Sequence, residues 1–233
     1  MKKFEQELEG LQQGLCQMGG LVEQMVALAA SAVRDRTIDR SSEATELETR
    51  LDQMQMDIDQ QAVRLLTVYG PVASSLRQIL VMTHVTSQME RIGDQVINVC
   101  KSLSRMEGDP EKIGHDEICD MADNAREMVS DAIAAYINRD VAKATSTRAQ
   151  DDIVDDLDTQ IIHKVLGDDA LTNVLKSPQD IRDSLTQVLI AHHFERIADQ
   201  AVNIAKEVIF MVSGDDVRHA QSPAEDSDTS ANS

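Results

Sequence analysis

Turn-forming residues are scarce in this 233-residue chain, which has 10 glycines and 4 prolines, well under the usual share of about 12%. Folds that need a turn every ~8–12 residues, the β-sandwiches and barrels, are therefore excluded first. Aromatic residues make up 2% of the chain and tryptophan is absent, so rings for stacking bases or for an aromatic membrane belt are lacking. Basic residues are few as well: 22 Lys and Arg against 41 Asp and Glu leave a formal charge of −19. That is the wrong sign for a broad phosphate-binding face, and nucleic acid is not an expected partner. Cations and basic protein surfaces are. The three cysteines, Cys16, Cys100 and Cys119, stand far apart and form no CxxC, which leaves no disulfide framework and no thiolate zinc site and fits a reducing cytoplasm. The N-terminus turns acidic at Glu5, before a signal-peptide core could begin, and no apolar run is read as approaching the ~18 residues of a spanning helix. Neither export nor membrane insertion is expected. The motifs GxxxxGK[ST], GxSxG and HExxH are absent, as is the Glu-x-x-His pair of di-iron bundles.

What the chain does contain is apolar residues in steps of three and four. Phe4, Leu8, Leu11, Leu15, Met18, Val22, Met25, Ala29 and Ala32 form one helical stripe. A second runs from Leu47 through Leu51 and Ile58 to Leu65 and ends before Gly70-Pro71, where proline disfavours helix. A third runs from Met82 to Leu103. After a connection holding Gly108-Asp109-Pro110 the pattern restarts at Ile118, continues from Ile153 to Val165, and ends with a sixth stripe from Ile190 to Val208. Six amphipathic helices joined by short connections make an all-α bundle. From Gly214 onward the apolar period is lost, so residues 215–233 read as an acidic, solvated and disordered tail.

The chain also repeats itself. Glu90-Arg-Ile-Gly-Asp-Gln-Val-Ile-Asn-Val-Cys-Lys101 recurs 105 positions later as Glu195-Arg-Ile-Ala-Asp-Gln-Ala-Val-Asn-Ile-Ala-Lys206. In each copy two carboxylates stand four apart, Glu90 with Asp94 and Glu195 with Asp199, and Asn98 or Asn203 continues the same helix face. At ~100° per residue that face lies roughly opposite the apolar stripe and is expected to be exposed. A solvated charged face is the plain explanation, since this many acids give about seven such pairs by chance. Two features go beyond it. The context recurs, including Arg91 with Arg196, and a second acidic pair stands at matching height on the preceding helix. Glu48 and Asp52 lie as far before Pro71 as Glu90 and Asp94 lie after it, and Asp151 and Asp155 mirror Glu195 and Asp199 about the Leu175-Lys-Ser-Pro178 turn region. Antiparallel hairpins would bring four carboxylates to one level in each copy. Such a cluster is relieved by proton uptake, by salt bridges to Arg91 and Arg196, or by a cation, and all-oxygen donors suit magnesium, calcium, manganese and iron. His192 and His193 fall within a turn of the second motif, but Ser87 and Gln88 replace them in the first, so they read as surface or boundary histidines. A carboxylate-bridged metal phosphoesterase and a metal-free helical scaffold are the competing functional classes.

Two copies of Glu-Arg-Ile-[Gly/Ala]-Asp-x-x-x-Asn, each on the last helix of a three-helix unit, resemble the PhoU family of phosphate-uptake regulators. Met18-Gly-Gly-Leu-Val-Glu-Gln24, Pro71-Val-Ala-Ser-Ser-Leu-Arg77 and Arg218-His219 support the resemblance, which spans roughly residues 4–219. Ser75 stands where the family usually has Asp, and the second copy keeps only Ser177-Pro178 and Ile181-Arg182 of that segment. The resemblance implies two tandem three-helix bundles related by a pseudo-twofold axis, over 1–107 and 108–214. It implies multinuclear metal clusters of iron, zinc, manganese or magnesium, one held by Glu48, Asp52, Glu90 and Asp94, the other by Asp151, Asp155, Glu195 and Asp199. The function it implies is that of a cytoplasmic, homodimeric, non-enzymatic negative regulator of the phosphate-starvation response and phosphate transport. Its partners would be the ATPase subunit of a phosphate ABC transporter and a sensor histidine kinase, and it would reach the membrane only through them.

Overall fold

The structure, a computed structural model, describes residues 2–35, 40–106, 114–167, 177–214 and 217. These form α1 (Lys2–Asp35), α2 (Ser41–Tyr69), α3 (Ser74–Leu103), α4 (His115–Asn138), α5 (Val141–Ala149), α6 (Asp151–Leu166) and α7 (Pro178–Ser213). No strand occurs among the described residues. The Gly108-Asp109-Pro110 connection, Leu175 and Lys176, Arg218-His219 and all of the expected tail except Val217 lie outside them.

Local chemistry sets the helix ends. Gly70 closes α2 in the left-handed conformation (φ 51°), its N–H donating to Leu66 O at 3.1 Å, and the predicted hairpin at Pro71 follows. At the start of α7, Ser177 and Asp180 form a reciprocal capping box with Pro178 in the first turn. The helix expected from Ile153 to Val165 is α6, and a short helix that the apolar period does not show, α5, precedes it. Arg139 takes φ 54° and stops α4, and the Asp140 side chain then accepts Lys143 N–H to cap α5. The Thr145 and Thr147 hydroxyls donate back to Val141 O and Lys143 O, which weakens the ladder just before the break at Gln150. Because α5 and α6 both pack on α4 and α7, together they stand where α2 stands in the first copy.

The packing obeys the pseudo-twofold. α1 pairs with α2 and α3 as α4 pairs with α5, α6 and α7, while α1 meets α4 and α3 meets α7 across the axis. The antiparallel α3–α7 pair is tied at Arg77 over the Phe210 ring (5.5 Å) and at His84 Nδ1 to Glu207 Oε1 (3.1 Å). Both bundles share one continuous apolar core, with Met89 and Phe194, its counterpart in the second copy, fully buried. The helices α2 and α5–α6 are left on the two flanks. By length and composition α1 is apolar enough over 18 residues to cross a membrane, a run that the spacing of its stripe conceals. Its Leu11, Leu15, Met18, Val22 and Met25 are spent on the core, all fully buried.

Candidate functional site

Each acidic pair sits on a flank, in the seam between the outer helix of a copy and its last helix. In the first copy α2 approaches α3 where Gly93 lies between Glu90 and Asp94. A Cβ on Gly93 would stand 2.4 Å from Leu51 Cδ2 and 3.4 Å from Met25 Cε, so the missing side chain is what lets Leu51, and Asp52 beside it, settle against the motif. The second copy solves the same contact with Ala198 and Val154, both fully buried, trading a methyl on α7 for a smaller residue on α6. This interlock fixes the height of the carboxylates.

The structure brings together the residues that the spacing predicted. Glu48 feels the charges of Asp52 and Asp94, and Glu90 those of Asp94 and Asp52; burial first, and these neighbours second, raise both carboxyls above the ordinary range. On the other flank burial, followed by Asp155 and Asp199, pushes Asp151 up to about 6. Burial followed by Asp199, Asp158, Asp155 and Asp151 pushes Glu195 up to about 7. Asp155 is raised as well, by burial and then Asp199. The expectation of a wholly exposed face needs correction. Asp52, Asp94, Asp155 and Asp199 are exposed, but Glu48, Glu90, Asp151 and Glu195 are half-buried, because the neighbouring helix covers the side of the motif that a single-helix projection leaves open. Asn98 and Asn203 are half-buried too.

The neutralising arginines do not materialise: among the described residues neither Arg91 nor Arg196 forms an ion pair with these carboxylates. Arg91 acts on Glu90 through its charge alone, and Lys101 and Lys206, at equivalent positions in the two copies, draw Glu48 and Asp151 back down. The second cluster has two further members, Asp158, which the spacing does not single out, and His192, which the spacing reads as a surface or boundary histidine. Asp158 adds a carboxyl, raised by burial, and His192 Nδ1 lies 3.4 Å from Glu195 Oε2. His193, by contrast, belongs to the α3–α7 seam, 3.0 Å from Gln95 Oε1 and depressed first by burial. As the side chains stand, no three His, Cys, Asp or Glu groups among the described residues converge closely enough to hold an ion. The donor chemistry nevertheless suits hard or borderline cations, and Asp158 Oδ1 and Glu195 Oε2 are enclosed without a hydrogen-bond partner.

The PhoU domain matches residues 15–103 and again 118–208. The phosphate-specific transport system accessory protein PhoU homolog of Pseudomonas aeruginosa is 32% identical over 220 residues, 94% of this chain and 88% of that one. The phosphate-specific transport system accessory protein PhoU of Escherichia coli is 26% identical over 217 residues, 93% and 88% of the two chains. The crystal structure of PhoU from Pseudomonas aeruginosa superposes with a TM-score of 0.84 at 30% identity, covering 91% of this chain and 100% of that one. PhoU from Streptococcus pneumoniae shares the fold at TM-score 0.81 and 22% identity, over 91% and 98% of the two chains. Two domain matches that together span most of the sequence, each ending on the helix that carries an acidic motif, show that the chain belongs to the PhoU family.

Proposed function

We propose that this protein is a regulatory accessory of the phosphate-specific transport system, a cytoplasmic adaptor that holds the phosphate-starvation response down when phosphate is plentiful. The observation that carries this reading is the duplicated acidic level on a chain matching relatives of that name over nearly its whole length. Relatives named as accessory proteins give no reason to assign a catalytic step. Its partners in this reading are the transporter's ATPase subunit, a sensor histidine kinase and a second copy of the chain. Glu48, Asp52, Glu90 and Asp94 would hold one metal centre, and Asp151, Asp155, Glu195 and Asp199 the other, with iron, zinc, manganese or magnesium as the candidate ions. The bound ions would supply the positive charge that ties α2 to α3 and α6 to α7. Until then, partial protonation and the two lysines carry that load.

The partner claim is tested by affinity capture of the tagged full chain from detergent-solubilised membranes of phosphate-replete cells. Recovery of the ATPase subunit or the kinase is expected, and reproducible recovery of neither would contradict it. One observation favours a metal-free scaffold, the lack of a ready-made three-donor cage among the described residues. Melting the purified protein with and without a chelator separates the two readings: the metal reading predicts a lower Tm after chelation, the scaffold an unchanged one.

A further inference from the structure

Away from the acidic seams, a cavity of about 150 Å³ lies at one end of the bundle, where α1, α3, α4 and α7 converge. Gln12 and Cys16 of α1, Gln78 near the start of α3, Tyr136 of α4 and Arg139 just past its end line it, beside Met211 of α7. The chain has 41 acidic residues, yet among the described residues none of them lines this cavity.

The lining polar groups are not spent on the protein. Among the described residues the Gln12 and Gln78 amides, the Tyr136 hydroxyl and the Arg139 guanidinium form no hydrogen bond or ion pair. Arg139 is exposed and the two glutamines are half-buried, but Tyr136 is only 5% exposed. Burial first, and then the Cys16 thiol, pushes the Tyr136 phenol up, while Arg139 draws it down. Those two neighbours also line the cavity, so the hydroxyl end of the ring is aimed into it, and its oxygen is not sealed off. A hydroxyl withdrawn this far without a protein partner costs free energy that a hydrogen-bonding occupant recovers.

Arg139 is unusual for a second reason. Its backbone is left-handed (φ 54°), a conformation that favours glycine at helix C-termini. α2 and α7 end that way on Gly70 and Gly214, but α4 carries a side chain there and directs it to the cavity. Stability alone would favour glycine, so the guanidinium has another use.

The chemistry of the lining selects the occupant. The guanidinium supplies a fixed positive charge, and burial keeps the phenol and the Cys16 thiol protonated at neutral pH, as donors. Without a carboxylate the cavity offers a hard cation no ligand. A cavity of this volume admits benzene, and a tetrahedral oxyanion is smaller. The two amides donate and accept, and their carbonyls find a partner only on an oxyanion that retains a proton. We infer that this cavity binds a small protonated oxyanion, with inorganic phosphate as its probe, held by Arg139 and Tyr136 and flanked by Gln12 and Gln78. The regulatory meaning of the site rests on the function proposed above. Arg139 is followed by Asp140, the cap of α5, so an anion that holds Arg139 acts where the second outer helix pair leaves the centre.

The test is titration of the full chain with inorganic phosphate, and with sulfate at equal ionic strength, read by calorimetry and by the alkylation rates of Cys16 and Cys119. Saturable phosphate binding is expected, with sulfate at least about ten-fold weaker because it offers the amide carbonyls no proton. Occupancy should slow alkylation of Cys16 and leave that of Cys119, half-buried outside the cavity, unchanged. Tyr136→Phe is expected to weaken binding at least about ten-fold. Arg139→Gly is expected to abolish it at a Tm equal to or above that of wild type, since glycine relieves the left-handed backbone, and this separates loss of the site from loss of the fold. No saturable binding at millimolar phosphate, binding that both variants retain, or sulfate bound as tightly as phosphate would each overturn the inference. Each would leave the regulatory reading to the capture experiment. Capture of neither partner by a chain that still binds phosphate would remove that reading and leave the site.

Discussion

Glu195 is held most firmly in its protonated form among the motif carboxyls, with a pKa pushed from 4.5 up to about 7 by burial and four acidic neighbours. Between those values the folded chain binds a proton that the unfolded chain does not, so the associated stability is full below pH ~4.5 and is lost as pH rises through about 7. Asp151, moved from 3.8 to about 6, adds the same sign in a lower window. In chelated protein, Glu195→Gln is therefore expected to melt higher than wild type at pH 8 and to close most of that gap by pH 5. Equal Tm differences at the two pH values would contradict the assignment. Cys100 carries no such lability. Burial pushes its thiol up to about 11, so it is expected to be the slowest of the three cysteines to alkylate in the native protein, which a timed thiol-labelling experiment reads directly. At this scale the sequence announced the eight motif carboxylates because they repeat. It did not announce Asp158, and it read His192 as a surface histidine, because neither repeats: Gln55 and Ser87 stand at the matching positions of the first copy.

Between helices, the interlock of Gly93 with Leu51 gives the sharpest prediction. Gly93→Ala places a Cβ 2.4 Å from Leu51 Cδ2 and is expected to cost about 1–3 kcal/mol of overpacking, less the ~1 kcal/mol that alanine returns in helix propensity. Leu51→Val on that background copies the Ala198 and Val154 solution of the second copy and is expected to restore most of the loss. Urea unfolding of the double-mutant cycle checks this, and strictly additive effects would contradict the contact. Asp140→Ala removes the α5 cap and is expected to cost about 1 kcal/mol, seen in the same experiment. The α2–α3 hairpin was legible because Gly70-Pro71 is a local signal that ends an apolar stripe. The break between α5 and α6 was not, because residues 141–150 lack apolar period and their structure depends on hydroxyl and carboxylate hydrogen bonds to the backbone. The half-burial of Glu90 and Glu195 was hidden for a different reason: a projection of one helix cannot include the helix that later packs beside it.

For the whole molecule, the duplication has a mechanical consequence. The core belongs to both copies at once, with α3 and α7 at its centre, while the acidic seams lie on opposite flanks and each involves one outer helix. A cation held in either seam, as proposed above, would act on the packing of an outer helix against a stiff centre. The all-α fold and its internal repeat were readable from period and self-similarity, and the match over nearly the full length to phosphate-specific transport accessory proteins gives them a biological setting. The most direct test of that setting is alkaline phosphatase activity in a deletion strain of the source organism grown in excess phosphate, with no second copy of the gene present. High activity, returned to the repressed level by the wild-type gene and not by a folded Asp94→Ala/Asp199→Ala double variant, is the predicted result. Activity that stays low in the deletion strain would contradict the account.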